Sequence, residues 1–394
     1  MSRALAAILT ALALASAVSA APDARITARL QPGVVAGTAG RSWTATVVVR
    51  DGRKPFAGRV TFALAGDAGR RAFPARRTAR AGRYRARITF PAGGEWVFSV
   101  RAGRRTVRLL RADVRGAGPR ISRPHGFELH EEHGALVVPD LDGTGFYEVD
   151  LRTHAKKLVG QGFTRPAFLN NGPGGYLYVA DEARIWRFEP DGAKTPVAGN
   201  GSRGLAGDGG PATSAQLGGH GDFAFDAAGN LYIAEYDNGV RIVSPDGRID
   251  TFGGIGQEGY SGDGGPARLA AFGAPHGLDV LADGTVIVAD SHNGVIRRID
   301  GGTRIVTTIA RGFSAPVGVD ARPDGSMYVA DASLDHIVRI APDGSRTQLG
   351  RRLQLPSSVV VDRAGRFVYV SEFDGRRISR IDSRTGRVSA LVRP

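Results

Sequence analysis

The chain has 394 residues, a formal net charge of +14 and 42% hydrophobic residues, which is enough apolar material for two globular domains. It contains no cysteine, so disulfide bonds, cysteine-linked lipids and thiolate chemistry are excluded. After the N-terminal segment, no stretch approaches the roughly 20 apolar residues that a membrane-spanning helix needs.

Residues 1–20 have the pattern of a secretory signal peptide. Arg3 supplies the positive start, an apolar run covers 4–17, and small residues at 18–20 precede a cleavage site near Ala20/Ala21. We therefore predict that the mature protein is secreted or held in the cell envelope and has no transmembrane segment.

Residues 21–115 are predicted to form a small β-sandwich of about seven strands. Short segments alternate apolar and polar residues between turns that contain Gly, Pro or Asp, as antiparallel strands with one buried face do. The clearest of these segments are Trp43–Arg50, Arg59–Leu64, Gly82–Phe90, Glu95–Arg101 and Arg105–Arg111. The run Gly82–Trp96 resembles the end of small exported domains of the YtkA-like kind, and this resemblance implies an immunoglobulin-like sandwich.

The positive charge is concentrated in this first domain. Residues 41–115 contain 19 Lys/Arg and 4 Asp/Glu, whereas the residues from 116 onward contain 30 Lys/Arg and 33 Asp/Glu. A positive field of this size favours anionic partners, such as a cell-surface polymer or phospholipid headgroups. The alternative is a solvated surface whose arginine usage reflects a GC-rich genome.

After a Gly/Pro/Arg linker at 116–123, a repeat runs through residues 119–394. Strands rich in Val, Ile and Tyr end on an acid at intervals of 41, 54, 55, 41 and 41 residues. The two long intervals contain the insertion Gly-Asp-Gly-Gly-Pro-Ala, at 207–212 and 262–267. Six units of about 41 residues with four short strands each predict a six-bladed β-propeller. The acids are Asp140, Asp181, Glu235, Asp290, Asp331 and Glu372.

The repeat resembles a known family. Asn230–Glu235, the third-strand patterns Ile296–Ile299 and Ile337–Ile340, and the insertion Ser261–Ala267 look like NHL repeats, whereas blade one (Pro124–Gln161) departs most. The resemblance implies an all-β, six-bladed NHL propeller, a fold that serves lyases, lactone hydrolases and protein- or RNA-binding platforms. We predict no nucleic-acid partner, because of the signal peptide and the slight negative charge from residue 116 onward.

Comparison between blades separates scaffold from site. The acids occur in all six blades, so we expect them to fix loops by accepting backbone N–H bonds or by pairing with third-strand arginines. A His-Gly pair opens the innermost strand in only three blades, at His125, His220 and His276. The equivalent positions in blades two, five and six are predicted to be Ala167, Val317 and Ser357.

Three imidazoles around the central channel predict a site for zinc or another divalent metal, with one position open for water or substrate. The alternative is that each imidazole bonds a nearby carbonyl. The Pro-His-Gly segments at 124–126 and 275–277 resemble the zinc-bearing segments of the propeller lyase that completes peptide amidation, whereas Gly219 precedes His220. That resemblance implies a metal-dependent lyase or hydrolase, of the amidating-lyase or lactonase kind.

The two insertions are expected on the same face as these histidines. Glycines there allow the backbone to present N–H groups to a ligand, although a compact loop that caps the blade junction is the alternative. The predicted ligand-binding rim consists of Asp222, Tyr236, Glu258, Tyr260 and His292. The segment at 130–133, His-Glu-Glu-His, lacks the His-Glu-x-x-His spacing and lies on the opposite face, so it is set aside.

Two functions follow from these patterns. The first is an exported propeller that binds a protein, peptide or small molecule at its channel mouth, with the cationic sandwich as a surface tether. The second is a metal-dependent lyase or hydrolase that uses the three histidines. No Walker loop or Gly-x-Ser-x-Gly nucleophile is present.

Overall fold

The computed structural model describes residues 26–30, 42–51, 54–66, 69–89, 94–102, 105–114, 121–237 and 239–392. The predicted signal peptide and most of the linker lie outside them. The chain divides into two compact units, Met1–Gly118 with Arg152–Ala155 and Pro119–Leu151 with Lys156–Pro394. No helix within the described ranges is long and apolar enough to cross a membrane.

The first unit contains eight described strands. The five predicted segments are strands, and the nine-residue strand β5 was missed because Pro74 and four arginines hide its alternation. The strands are β1 (Ile26–Leu30), β2 (Ser42–Asp51), β3 (Lys54–Pro55), β4 (Val60–Gly66), β5 (Gly69–Arg77), β6 (Arg83–Thr89), β7 (Gly94–Ala102) and β8 (Arg105–Val114).

These strands form one continuous antiparallel ladder in the order β1-β2-β6-β5-β4-β7-β8, with β3 paired to β2. Strand β5 joins two sets, because it pairs with β4 along most of its length and with β6 at Arg76 and Arg77. Alternate residues are buried, as at Val60, Phe62 and Leu64 of β4, so one face of β4 supplies the core, and the described side chains of β2 and β6 alternate in the same way. The immunoglobulin-like assignment stays a prediction.

The second unit contains six four-stranded antiparallel sheets, which confirms the all-β propeller prediction. Blades one to three consist of β9 (Glu128–His130), β10 (Ala135–Pro139), β11 (Gly145–Asp150), β12 (Lys156–Gln161); β13 (Pro166–Asn171), β14 (Leu177–Asp181), β15 (Ile185–Phe188), β16 (Lys194–Ala198); β17 (His220–Phe225), β18 (Leu231–Glu235), β19 (Gly239–Val243) and β20 (Ile249–Gly253).

Blades four to six follow the same pattern. Their strands are β21 (Pro275–Val280), β22 (Val286–Asp290), β23 (Val295–Ile299), β24 (Val306–Arg311); β25 (Pro316–Ala321), β26 (Met327–Asp331), β27 (His336–Ile340), β28 (Arg346–Leu349); β29 (Pro356–Val361), β30 (Phe367–Glu372), β31 (Arg377–Asp382) and β32 (Val388–Val392). Short 3-10 helices occupy Glu131–His133, Pro173–Gly175, Ala212–Ser214, Ala267–Leu269 and Ala332–Leu334.

The core of the propeller lies between blades. Each pair of neighbouring blades shares a cluster of buried apolar side chains; Val286, Val288 and Phe252, for example, pack together between blades three and four. First strands of successive blades pack against one another around the axis, which makes them the innermost strands. Burying both faces of every sheet in this way explains why the second strands read as continuous apolar runs.

The ring closes between blades six and one without a shared strand. Every blade is built from one continuous segment, and the closing junction is an apolar cluster that includes Phe127, Leu136, Tyr369 and Leu391. The backbone N–H of Arg363 in blade six also donates to the carboxylate of Glu131 in blade one. Packing, rather than strand exchange, therefore holds the two ends of the ring together.

Candidate functional site

The acids at the ends of the second strands hold the scaffold. In every blade the carboxylate accepts backbone N–H bonds from the segment that leads into the innermost strand, as predicted for a structural role. The pairs are Asp140 with Ser122 and Arg123, Asp181 with Thr164, Glu235 with Gly218, Asp290 with Gly273, Asp331 with Ser314 and Ala315, and Glu372 with Gln354.

Two third-strand arginines extend this scaffold in blades three and four. Arg241 and Arg297 are 1% and 0% exposed. Nη2 of Arg241 lies 2.7 Å from Oδ1 of Asp208, and Nη2 of Arg297 lies 3.0 Å from Oδ1 of Asp263. Each guanidinium also reaches the acid of its own blade at 3.6 Å. The Asp of each Gly-Asp-Gly-Gly-Pro-Ala insertion thus neutralises a buried cation.

The insertions cap the outer edges of blades three and four. Pro211 bridges to Arg248 and Pro266 to Ile305, beside the outermost strands β20 and β24. The backbone N–H of Gly264 donates to the carbonyl of Val306 on the fourth strand of blade four, so this N–H is used within the fold. This geometry favours the capping interpretation over ligand-facing N–H groups.

Tyr260 accordingly lies at this outer edge rather than at the predicted rim. Its hydroxyl donates to Oδ2 of Asp263 at 3.0 Å and lies 2.9 Å from Oγ1 of Thr308 on β24. The insertion folds outward after residue 259, which spacing alone does not reveal.

Strand register separates the three candidate histidines. Pro275 pairs with Asp290, so His276 is one residue past the pairing position, and His125 follows Pro124, which bridges to Asp140. His220 itself pairs with Glu235. It therefore occupies the register of the prolines, and Gly221 occupies the register of His276. The shared register of three histidines was wrong for His220, because His220 precedes Glu235 by 15 residues whereas His276 precedes Asp290 by 14, and the two hairpins have the same length. The side chain of His220 lies outside the described residues.

His125 and His276 meet at the face where the innermost strands begin, here called the channel mouth. Their ring centroids are 6.1 Å apart. Phe168 of blade two lies 4.7 Å from the ring of His125 and 5.8 Å from that of His276, and Phe373 of blade six lies 5.7 Å from His125. Nδ1 of His276 is 3.1 Å from the carbonyl oxygen of Val317 and must donate to it.

Three predicted rim residues extend this cluster. Tyr236 lies 6.2 Å from the ring of His276, and its Oη is 3.3 Å from Nε2 of His292. Nδ1 of His292 lies 2.8 Å from Oε1 of Glu258. Because the carboxylate accepts a hydrogen bond from Nδ1–H, the Nε2 atom of a neutral His292 carries the lone pair and accepts a hydrogen bond from the hydroxyl of Tyr236. These residues with His125, His276, Phe168 and Phe373 are called the mouth cluster.

Asp222 belongs to a second group, inside the channel. Burial, with a smaller contribution from nearby carboxylates, raises the pKa of Asp222 and of Glu128 to about 8. Burial, followed by the charge of Asp320, raises the pKa of Asp279 to about 7, and burial raises that of Asp320 to about 6. These acids belong to four blades and interact because the innermost strands converge on the axis.

Two of the channel acids link neighbouring blades. Oδ2 of Asp279 accepts the backbone N–H of Ala321 at 2.8 Å, and Oδ2 of Asp320 accepts that of Val361 at 2.8 Å. Glu128, Asp279 and Asp320 were missed in the sequence. For Asp279 and Asp320 a signal was available, since each is an acid near the end of an innermost strand that is otherwise largely apolar. Glu128 begins the short strand Glu128–His130 and carries no such signal.

Comparison with known proteins addresses the fold. The family model of the NHL repeat matches residues 272–298, within blade four. The propeller is of the NHL type. Among curated proteins, no sequence matches this chain.

Several solved structures resemble this chain in fold at low sequence identity. A gluconolactonase from Xanthomonas campestris is 13% identical, with 69% of this chain and 87% of that chain covered and a TM-score of 0.52. A protein of unknown function from Bacteroides thetaiotaomicron is 12% identical, with 94% of this chain and 98% of that chain covered and a TM-score of 0.51. An auxiliary nutrient binding protein from Bacteroides ovatus is 12% identical, with 91% of this chain and 98% of that chain covered and a TM-score of 0.50. At these identities the likeness concerns the fold alone.

Proposed function

We propose that this protein is an extracytoplasmic binding module that captures a small polar ligand at the mouth cluster. The observation that carries the proposal is the unbroken series of contacts from Phe373 through His125, His276 and Tyr236 to His292, which joins side chains of blades six, one, four and three. Aromatic faces with a few converging polar groups are the usual lining of small-molecule sites.

The chemistry of the cluster favours a ligand with flat apolar faces and hydroxyl groups, such as a sugar. The ring of Tyr236, which is 43% exposed, offers a stacking surface, whereas Phe168 is buried and packs against the ring of His125. Glu258, His292 and the hydroxyl of Tyr236 are 43–62% exposed and can exchange hydrogen bonds with ligand hydroxyls. The fold likeness to an auxiliary nutrient binding protein is compatible with this class of ligand.

A panel of neutral mono- and disaccharides, screened by thermal shift and then by calorimetry, tests the proposal. We expect at least one sugar to bind, with at least tenfold weaker binding in a Tyr236→Ala, His276→Ala double variant. His336→Ala, which removes an exposed imidazole bonded to the carbonyl of Leu334, is the matched control. Equal binding by the double variant and the parent would reject the mouth cluster as the site.

A second candidate function is a lyase or hydrolase at the same place. It is favoured by the hydrogen-bonded series Glu258–His292–Tyr236. In this series, transfer of the phenolic proton of Tyr236 to Nε2 of His292 would leave a phenolate able to abstract a proton from a substrate, while Glu258 stabilises the imidazolium. The paired imidazoles of His125 and His276 suit a zinc-like ion, which would polarise a carbonyl when bound.

Metal analysis and one conservative substitution separate the two candidates. If the protein is a lyase or hydrolase, the parent should contain stoichiometric metal that is lost in a His125→Ala, His276→Ala variant. Tyr236→Phe should then lose turnover but still bind the ligand. A parent without turnover and without metal that depends on His125 and His276, but with sugar binding, leaves the binding module as the function.

We further propose that the first unit tethers the protein to an anionic cell-surface polymer. Its arginines on β5 and β6, including Arg76, Arg85 and Arg87, are exposed, and Arg76 lies directly opposite Arg85 in the ladder. Like charges held side by side are stabilised by a polyanion. Retention on immobilised heparin should fall with salt and fall again in Arg76→Ser, Arg85→Ser. An equal loss in the control pair Arg351→Ser, Arg384→Ser would contradict the tether.

A further inference from the structure

The segment at 130–133 brings metal-ligating groups together despite its spacing. It forms the turn between β9 and β10, at the opposite end of the innermost strand from the channel mouth. A 3-10 turn at Glu131–His133 is capped by Gly134 in the left-handed conformation, with φ of 61°, and folds the segment back. One ligand atom from each of His130, Glu132 and His133 lies within 4.8 Å of the others.

A neighbouring blade fixes the tautomer of His130. Nδ2 of Asn171 donates to Oε1 of Glu128 at 3.0 Å, which orients the amide. Its Oδ1 therefore faces Nε2 of His130 at 3.1 Å, and this nitrogen must carry the proton. The lone pair of the ring then sits on Nδ1. An imidazole whose outer N–H is held by a carbonyl oxygen is the usual state of a metal-binding histidine.

We propose that His130, Glu132 and His133 form a second site, for a zinc-like divalent cation, separate from the mouth cluster. Two imidazoles and one carboxylate suit zinc better than calcium or magnesium, which prefer oxygen ligands alone. Glu132 and His133 are 69% and 65% exposed, so both side chains can move inward to bonding distance. A fourth position is left to water.

The cation would act on ring closure. Glu131 lies between the proposed ligands, and its carboxylate accepts the backbone N–H of Arg363 across the junction of blades six and one. A cation that fixes the turn also fixes this contact. Zinc bound to the folded state and absent from the unfolded one raises the melting temperature as its concentration rises.

The test uses the mature protein after chelation, with zinc chloride as the probe. Calorimetry and thermal melts should show one saturable equivalent of zinc that disappears in His133→Ala and in Glu132→Gln, together with the zinc-dependent rise in melting temperature. That equivalent should persist in His336→Ala and in His125→Ala, His276→Ala, which separates this site from the mouth cluster. Asn171→Leu should weaken zinc binding by about 10- to 100-fold, since outer-shell partners have effects of that size.

Several results would overturn the proposal. Zinc binding that is absent in the parent, or unchanged in both His133→Ala and Glu132→Gln, rejects the site. Unchanged affinity in a folded Asn171→Leu variant rejects the role assigned to the tautomer of His130. Failure of the sugar screen leaves this proposal untouched, because none of its residues lies in the mouth cluster.

Discussion

At the scale of single residues, the most constrained side chains are the buried arginines of blades three and four. Arg297 donates to the carbonyls of Ala271 and Ser261 at 3.0 and 2.9 Å, besides its ion pairs, so one guanidinium fixes a whole insertion. A buried cation of this kind is tolerated because both terminal nitrogens of the guanidinium meet oxygens, although Nε has no hydrogen-bond partner among the described residues. The acid–arginine arrangement is therefore structural, in contrast to the half-exposed acid and imidazole at the mouth.

We predict that Arg297→Met lowers the free energy of unfolding by about 3–5 kcal/mol, because Asp290 would be left buried without its cation. Arg298→Met is the matched control. Its guanidinium is 34% exposed and pairs with Asp300, so its loss should cost about 0–1 kcal/mol. Urea denaturation measures the free energy of unfolding of both variants. An equal decrease in the two variants would show that the buried ion pairs of Arg297 contribute no more stability than the exposed pair of Arg298.

Residue identity in the site was only partly predictable. Comparison between blades predicted His125 and His276, and proximity to the insertions predicted Tyr236, Glu258 and His292; these five residues do converge. The prediction failed for His220, which is one residue farther from the acid of its blade than His276 is, and for Tyr260, whose loop pairs at the outer edge of the blade. The channel acids Glu128, Asp279 and Asp320 were not predicted, because their proximity depends on how the innermost strands of different blades converge on the axis.

At the scale of elements, the innermost strands are joined by carboxylates whose protonated forms burial favours. The pKa of Asp279 is about 7 and that of Asp320 about 6 in the folded state, above the ordinary value of 3.8. A raised folded-state pKa contributes stability that is complete below about pH 4 and is lost as the pH rises through the folded value. The contacts that Asp279 and Asp320 make between neighbouring innermost strands should therefore contribute less stability at neutral pH than at mildly acidic pH.

We predict that the free energy of unfolding falls between pH 4 and pH 7 because of these groups, and that Asp279→Asn flattens the fall. The control is Asp283→Asn in the turn of the same blade, where hydrogen bonds from Thr285 lower the pKa of the carboxyl. Its substitution should leave the slope above pH 4 unchanged. Denaturation midpoints at half-unit pH steps provide the measurement, and an unchanged slope in Asp279→Asn would contradict the assignment.

Element type was predicted well in the propeller and less completely in the first unit. The alternating and apolar runs gave the strands of all six blades, since burial on both faces leaves a strong signal. The long strand β5 was not predicted, because arginines fill its exposed positions and a proline interrupts its alternation.

At the scale of the whole molecule, the ring depends on one junction, between blades six and one, that no backbone connection spans. Leu391 is 5% exposed in the cluster that closes blades six and one. We predict that Leu391→Ala costs about 2–5 kcal/mol and that limited proteolysis then cleaves blade six before the other blades. Leu269→Ala, at a site 70% exposed, is the control and should change neither quantity. Uniform cleavage of all blades in Leu391→Ala would argue against local opening of the ring.

The continuous construction of every blade has an evolutionary consequence. Duplication or loss of one repeat-length segment of the gene would add or remove an entire sheet without leaving any strand unpaired. Mutations in one copy can then alter one sector of the mouth while the remaining copies preserve the scaffold. The confinement of histidines to some blades, and of the Gly-Asp-Gly-Gly-Pro-Ala insertion to two adjacent ones, is the pattern that such copy-by-copy divergence produces.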